Sequence, residues 1–277
     1  MKKSKAIHMV MLVAIMFALF LGGIIIFKTH KTSEENIEDV PVEPQEPTVD
    51  LNKIESISGK YYYEDDYFTS MFGIDVSEHQ NNIDWRKVKD DSVEFAYLRI
   101  GRRGATEGKL YPDEHFEENY NGVIANGIKL GVYFFSQAID EKEAIEEAHW
   151  VLDTLNGRKV DLPIVYDCEE VHMDDAVSRI TLLEKEQLTR NAIAFMEEIK
   201  KNGYDAMFYA YPYWASTYID MEKLKDYSLW YAQYDGTESS FEYPVTIWQY
   251  SAEGTINGIE GETDLNIMFI RKNDQSE

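Results

Sequence analysis

The sequence predicts an α/β barrel, and three observations carry that reading. Apolar strand-like runs recur along the chain from Met71 onward, helical patterns lie between several of them, and carboxylates stand at the ends of separate runs. The runs are Phe72–Val76, Phe95–Ile100, Leu130–Phe135, Ile164–Tyr166, Ala206–Tyr211, Leu229–Ala232, Val245–Trp248 and Asp264–Phe269. Strands that alternate with helices bury both faces of a parallel sheet, and its simplest closed form is a barrel.

Two helices are clear. Over Asp140–Leu155, Ala144, Ala148, Val151, Leu152 and Leu155 share one face with acids opposite. Over Glu184–Asn202, Leu188, Ala192, Phe195, Met196 and Ile199 repeat the pattern, and Gly203 ends it. The connections after the later strands are too short for full helices, so the barrel is expected to be irregular.

The first 31 residues are not expected to belong to the fold. Lys2, Lys3 and Lys5 precede Met9–Phe27, a nineteen-residue apolar stretch long enough to cross a bilayer. It ends without an Ala-x-Ala site, which favours an uncleaved signal anchor, with a cleaved signal as the alternative. Residues 32–70 read as a linker with a tyrosine-rich lead-in. Glu34, Glu35, Glu38 and Asp39 run into Pro41, Pro44 and Pro47 as an extended stalk, and Tyr61, Tyr62, Tyr63 and Tyr67 are expected to lie on the domain that follows. Residues 71–272 form that domain, placed outside the cytoplasm as part of a single-pass membrane protein, or secreted if the N-terminal segment is cleaved.

Composition narrows the function. With 44% hydrophobic residues the chain can bury a core, and one cysteine excludes an internal disulfide. Beyond residue 31 the balance is 22 basic against 51 acidic side chains, which leaves no basic footprint for nucleic acid.

The most informative segment is Leu162-Pro163-Ile164-Val165-Tyr166-Asp167-Cys168-Glu169-Glu170. A buried run breaks into acids, and strand alternation puts Asp167 and Glu169 on one face and Cys168 on the other. Buried carboxylates are costly unless hydrogen-bonded or used. Other strand ends supply Asp75, Trp230, Gln233, Trp248, Gln249 and Asp264. Flat aromatic faces stack on sugar C–H surfaces while acids and amides take hydroxyls, so the set suits a carbohydrate. Glycosidic cleavage needs one carboxyl kept protonated as an acid, and clustered carboxylates raise one another's pKa. Competing structural readings exist: Asp75 as a helix cap, Trp230 and Trp248 as barrel-wall aromatics, Glu170 as a supporting surface group, His79 as a loop histidine outside the chemistry. A divalent metal held by Asp75, Asp167 and Asp264 finds no support in ligand spacing, and neither metal nor cofactor is expected.

The ordered set Phe72-Gly73-Ile74-Asp75-Val76-Ser77-Glu78-His79-Gln80, Ile83-Asp84-Trp85, Gly131-Val132-Tyr133-Phe134-Phe135, Asp167-Cys168-Glu169, Leu229-Trp230-Tyr231-Ala232-Gln233-Tyr234, Ile247-Trp248-Gln249-Tyr250 and Asp264-Leu265-Asn266 resembles the family 25 glycoside hydrolases, the Chalaropsis-type lysozymes. The resemblance spans residues 71–270 or so. It implies a flattened, irregular (β/α) barrel of the TIM-like type and cofactor-free hydrolysis of the β-1,4 bond between N-acetylmuramic acid and N-acetylglucosamine in peptidoglycan. It implies Glu169 as general acid, Asp167 as the group that orients the substrate's 2-acetamido group, and Asp75 and Asp264 as the rest of the acidic cluster. Tyr133, Phe135, Tyr209, Trp230, Gln233, Trp248 and Gln249 would contact sugar. The expected partners are glycan strands and, through the N-terminal helix, the membrane, with the protein a monomer. Alternatives from other classes are a silent peptidoglycan-binding scaffold and a chitinase-like glucosaminidase. One departure stands out: Tyr97-Leu98-Arg99-Ile100-Gly101-Arg102 carries arginines where many relatives have a Lys-Ala-Thr-like segment.

Overall fold

A computed structural model describes residues 47–173, 175–234 and 241–272. The apolar stretch Met9–Phe27 and the acidic part of the stalk lie outside the described residues; among those described, no helix is long and apolar enough to cross a membrane.

The compact unit beginning at Pro47 opens with a short antiparallel hairpin, β1 (Glu55–Ile57) and β2 (Lys60–Tyr62), turned through Ser58 and Gly59 at positive φ. There follow β3 (Phe68–Val76), α1 (Trp85–Asp90), β4 (Phe95–Arg103), β5 (Leu110–Pro112), α2 (Phe116–Ala125), β6 (Lys129–Ser136), α3 (Glu141–Leu155), β7 (Ile164–Cys168), α4 (Lys185–Lys201), β8 (Ala206–Ala210), α5 (Pro212–Thr217), β9 (Ser228–Ala232), β10 (Ile247–Gly254) and β11 (Thr263–Arg271). Among the described residues, eight strands close a barrel in the order β3-β4-β6-β7-β8-β9-β10-β11, with β11 antiparallel to both neighbours and the remaining pairs parallel. Every expected strand is present. β3 starts earlier than its apolar run and β5 is an addition, a short strand on the edge of β4.

Strand alternation builds two cores. Phe95, Tyr97, Val165, Met207, Trp230 and Ile247 point into the barrel. The intervening side chains, among them Leu98, Tyr166 and Phe208, point outward beneath the helices. Two glycines let aromatic rings cross the interior: a Cβ on Gly73 would sit 2.4 Å from the Phe95 ring, and one on Gly131 would sit 2.3 Å from the Tyr97 ring. The longest helices are bounded by a side-chain cap at one start and the expected glycine at the other's end. Asp140 accepts from the Glu143 amide at the start of α3, and Gly203 at φ +85° follows α4.

The late half is irregular, as the short connections imply. β10 turns back directly into β11, so among the described residues no helix covers the outside of that pair. Its outer aromatics are covered instead by the chain before β3. Tyr61 stacks on Tyr250 at 4.1 Å and lies 5.6 Å from Trp248, while Tyr63 meets Phe269 edge-on at 5.6 Å. Phe241, 5.5 Å from Trp248, closes the other side. The tyrosine-rich lead-in therefore takes the place of missing barrel helices.

Candidate active site

The carboxyl ends of the parallel strands surround a cavity of about 290 Å³. Asp75 from β3, Arg99 from β4, Tyr133 and Phe135 from β6, Asp167 and Glu169 from and just beyond β7, Tyr209 from β8, Trp230 from β9, Gln249 from β10 and Asp264 from β11 all line it. β11 runs the other way, so its first residues, not its last, lie at this end. That is why Asp264 is directly opposite Asp75 in the ladder. Phe135, Asp167, Tyr209 and Trp230 occupy successive ladder positions across four strands, which places them in one layer.

Asp75 is held rigidly. Its Oδ2 accepts from Gln249 Nε2 at 2.9 Å and from Asn266 Nδ2 at 2.7 Å. Both amides are oriented in turn: Trp230 Nε1 donates to Asn266 Oδ1 at 2.8 Å, and the Tyr209 and Tyr234 hydroxyls donate to Gln249 Oε1 at 3.2 and 2.7 Å. Burial pushes Asp75 up to about 6, partly offset by these donors. Asp264 shares a hydrogen bond with it and is pushed to about 9 by burial and the Asp75 charge, so Asp264 carries the proton of this pair.

Asp167 and Glu169 form a second hydrogen-bonded pair. Burial lifts Glu169 to about 7, with the Asp75 charge adding to it. Asp167 is raised well above the usual carboxylate range by burial and by the charges of Glu169 and Asp75. The pair thus retains a shared proton at neutral pH, because two carboxylates this close in a low-dielectric site resist joint ionisation. Asp167 is 6% exposed, and its buried Oδ1 has no hydrogen-bond partner among the described residues. Glu169 is less buried and keeps contact with solvent.

Arg99 and Arg102, which depart from the resemblance, and the neighbouring Arg103 have separate tasks. Arg99 is a buried cavity-wall cation whose Nε donates to Asp113 at 2.9 Å, with Glu78 2.8 Å from its Nη2. Its charge opposes the rise of the Asp167 pKa. Arg103 lies behind the wall, donating to Glu147 at 2.7 Å and to the Gly108 carbonyl at 2.7 Å. Arg102 lies over the Tyr111 ring.

Of the expected site residues, Asp75, Asp167, Glu169, Asp264, Tyr133, Phe135, Tyr209, Trp230 and Gln249 converge on the cavity; Gln233 and Trp248 do not. Trp248 neighbours Gln249 on β10, and alternation sends adjacent side chains to opposite faces. With Gln249 inside, Trp248 belongs to the outer wall, where its indole donates to the Gln233 carbonyl at 2.8 Å. Gln233 lies beyond the end of β9, linked to β10 through its backbone. Asp75 caps no helix; Ser77 caps the turn that follows, and His79 borders the cavity. Glu170 accepts from Thr181 Oγ1 at 3.0 Å, and Cys168 is buried in the outer core. Sequence reasoning missed Arg99 and Tyr234 as wall residues. Tyr234 follows β9 with no periodic pattern to aim it, whereas Arg99 could have been found from its same-face spacing with Tyr97.

A family model described as Glycosyl hydrolases family 25 matches residues 74–259. The chain belongs to that family. An autolytic lysozyme of Clostridium acetobutylicum is 29% identical over 71% of this chain and 55% of its own length. Lysozyme M1 of Streptomyces globisporus is 27% identical over 70% of this chain and 66% of its own. The chain thus spans between half and two thirds of these curated relatives. Among solved structures, the Clostridium perfringens spore cortex lytic enzyme SleM superposes with a TM-score of 0.61 at 26% identity, covering 72% of this chain and 67% of that one. The family match ends inside the β10–β11 connection, so Asp264 lies beyond it, although β11 closes the barrel and completes the acidic cluster.

Proposed function

We propose that this family 25 protein hydrolyses peptidoglycan as a muramidase, cutting the β-1,4 bond between N-acetylmuramic acid and N-acetylglucosamine. The observation that carries the reading is the Asp167–Glu169 pair, two hydrogen-bonded carboxyls that retain a proton near neutrality in a cavity walled by aromatic rings and amides. A silent scaffold has no need to bear the cost of four neighbouring acids, two of them buried and two partly so.

In the proposed reaction Glu169, the more exposed of its pair, delivers the shared proton to the glycosidic oxygen as the C1–O bond breaks. Asp167, left as the carboxylate, accepts the acetamido N–H through Oδ1, the atom that lacks a partner among the described residues. The acetamido oxygen then closes on C1. Water opens that intermediate at C1 and returns its proton to Glu169, a substrate-assisted exception to the two-carboxylate scheme. The charge gained by the Asp167–Glu169 pair on losing its proton, together with ionised Asp75, faces the cationic sugar. Tyr133, Tyr209 and Trp230 supply the wall on which the ring rests. No metal or cofactor enters the scheme.

We further propose that Met9–Phe27 anchors a monomeric enzyme in a bacterial membrane with the barrel outside, and that the acidic, Pro-rich linker beginning at Thr32 sets its reach to the wall. Replacement of Glu169 by Gln is the direct test of the acid. Release of reducing ends from purified peptidoglycan should fall below a hundredth of the wild-type rate, and activity above a tenth would remove Glu169 from that role.

A further inference from the structure

Glu169 poses a positional problem. It stands one residue beyond β7, and the last β6–β7 ladder partners are Ser136 and Cys168. Past that rung, among the described residues, no further β6–β7 pair holds the chain that carries the acid. The side chain of Gln137, one residue beyond β6, occupies this place. Its Nε2 donates to the Glu169 carbonyl at 2.7 Å, and its Oε1 accepts from Ser178 Oγ at 2.5 Å. Gln137 is fully buried and Ser178 is 3% exposed, so neither amide edge has water as a substitute partner.

Gln137 is itself tied down from behind. Its backbone N–H donates to the Glu147 carboxyl, which also accepts from Ser136 Oγ at 2.6 Å and Arg103 Nε at 2.7 Å. The next residue, Ala138, accepts from Asn191 Nδ2 at 2.8 Å, which links the segment to α4. A surface amide with solvent partners would be an ordinary loop contact. This one is buried, bonded at both ends, and braced by two helices.

We propose that Gln137 is a positioning residue for catalysis, a side-chain rung that extends the β6–β7 ladder by one residue and sets the placement of Glu169. The inference rests on the reading of Glu169 as proton donor. Ser178 belongs to the same device, since it fixes which edge of the amide faces Glu169.

The test compares Gln137→Met, Ser178→Ala and Glu169→Gln on two substrates: purified peptidoglycan, whose leaving sugar needs a proton, and a dinitrophenyl glycoside of a disaccharide ending in N-acetylmuramic acid, whose leaving group does not. Small displacements of a catalytic group cost about 10²-fold in rate. Q137M is therefore expected to lose about 10- to 100-fold in kcat on peptidoglycan with KM within twofold, and S178A about 3- to 10-fold. On the activated glycoside, read as first-turnover release of dinitrophenolate so that the later Glu169-assisted water step does not enter, both variants should run within threefold of wild type. Equal losses on both substrates, a change confined to KM, or an unchanged kcat on peptidoglycan would overturn the proposal. S178A carries the same test if Q137M fails to fold. Glu169→Gln separates the two claims: if it too loses equally on both substrates, the proton-donor reading fails, whereas its rescue alongside an unrescued Q137M overturns only the positioning role.

Discussion

Asp75→Asn is the most instructive single substitution because the structure lets it change charge with little change of shape. Asp75 receives both amide donors on one oxygen, at 2.9 and 2.7 Å. An asparagine can present its carbonyl oxygen to those donors and turn its NH₂ toward Asp264, which then accepts. What disappears is a negative charge that raises both Asp167 and Glu169. In a site of effective dielectric about 20, one neighbouring unit charge is worth on the order of 2 kcal/mol. That corresponds to about 1.5 pH units, and the partial solvation of Glu169 lowers it to about one. Asp75 itself titrates at about 6, so it is ionised where Glu169, at about 7, gives up its proton. Activity that requires a protonated acid falls as pH rises through that value, so the basic limb of the kcat profile should move down by about one pH unit. Turnover at the optimum should fall about 10²-fold as the charge facing the cationic sugar is lost. The assay is reducing-end release from purified peptidoglycan between pH 4 and 9. A basic limb that stays in place or moves upward would refute the electrostatic reasoning.

Two further outcomes follow from the same arrangement. Tyr61→Ala removes a ring stacked on Tyr250 and beside Trp248 from the cover of the β10–β11 pair. It should cost about 2 kcal/mol, or about 4–8 °C in Tm by calorimetry, and an unchanged Tm would show that the lead-in does not hold the barrel. For Asp264→Asn the folded-state pKa of the native group is raised, to about 9. Its stabilising contribution is thus complete below the unfolded pKa near ~4 and is lost as pH climbs toward the folded value. The asparagine has no such loss, which amounts to about 4 kcal/mol between the two pH values, so the variant should melt about 8–16 °C above wild type at pH 7.5 and close to it at pH 4. A difference of the same size at both pH values would count against the shift.

Much of the fold was legible because buried strands are apolar and the two long helices carry a 3.6-residue stripe. The acid pair was legible because period-two alternation places Asp167 and Glu169 together regardless of context. The same rule should have separated Trp248 from Gln249. Residue chemistry suggested a sugar contact for both, while alternation permits only one to face inward. Gly73 and Gly131 show the converse: their need is set by the Phe95 and Tyr97 rings on the neighbouring strand, which sequence spacing does not display. The tyrosine-rich lead-in packs on the domain as expected, but its place over the β10–β11 pair was not legible, because Tyr61–Tyr63 have no periodic pattern of their own and acquire that role only where the barrel lacks helices. Gln137 was invisible for a similar reason, since its partners Glu169 and Ser178 come from the far side of α3 in the chain.

The central claim is the bond cut, and the sugar left at the new reducing end reads it directly. Peptidoglycan digested with the residue 47–277 unit, reduced with borohydride and analysed by mass spectrometry should yield muramicitol-terminated fragments. Fragments ending in reduced glucosamine would contradict the muramidase account and point to a glucosaminidase.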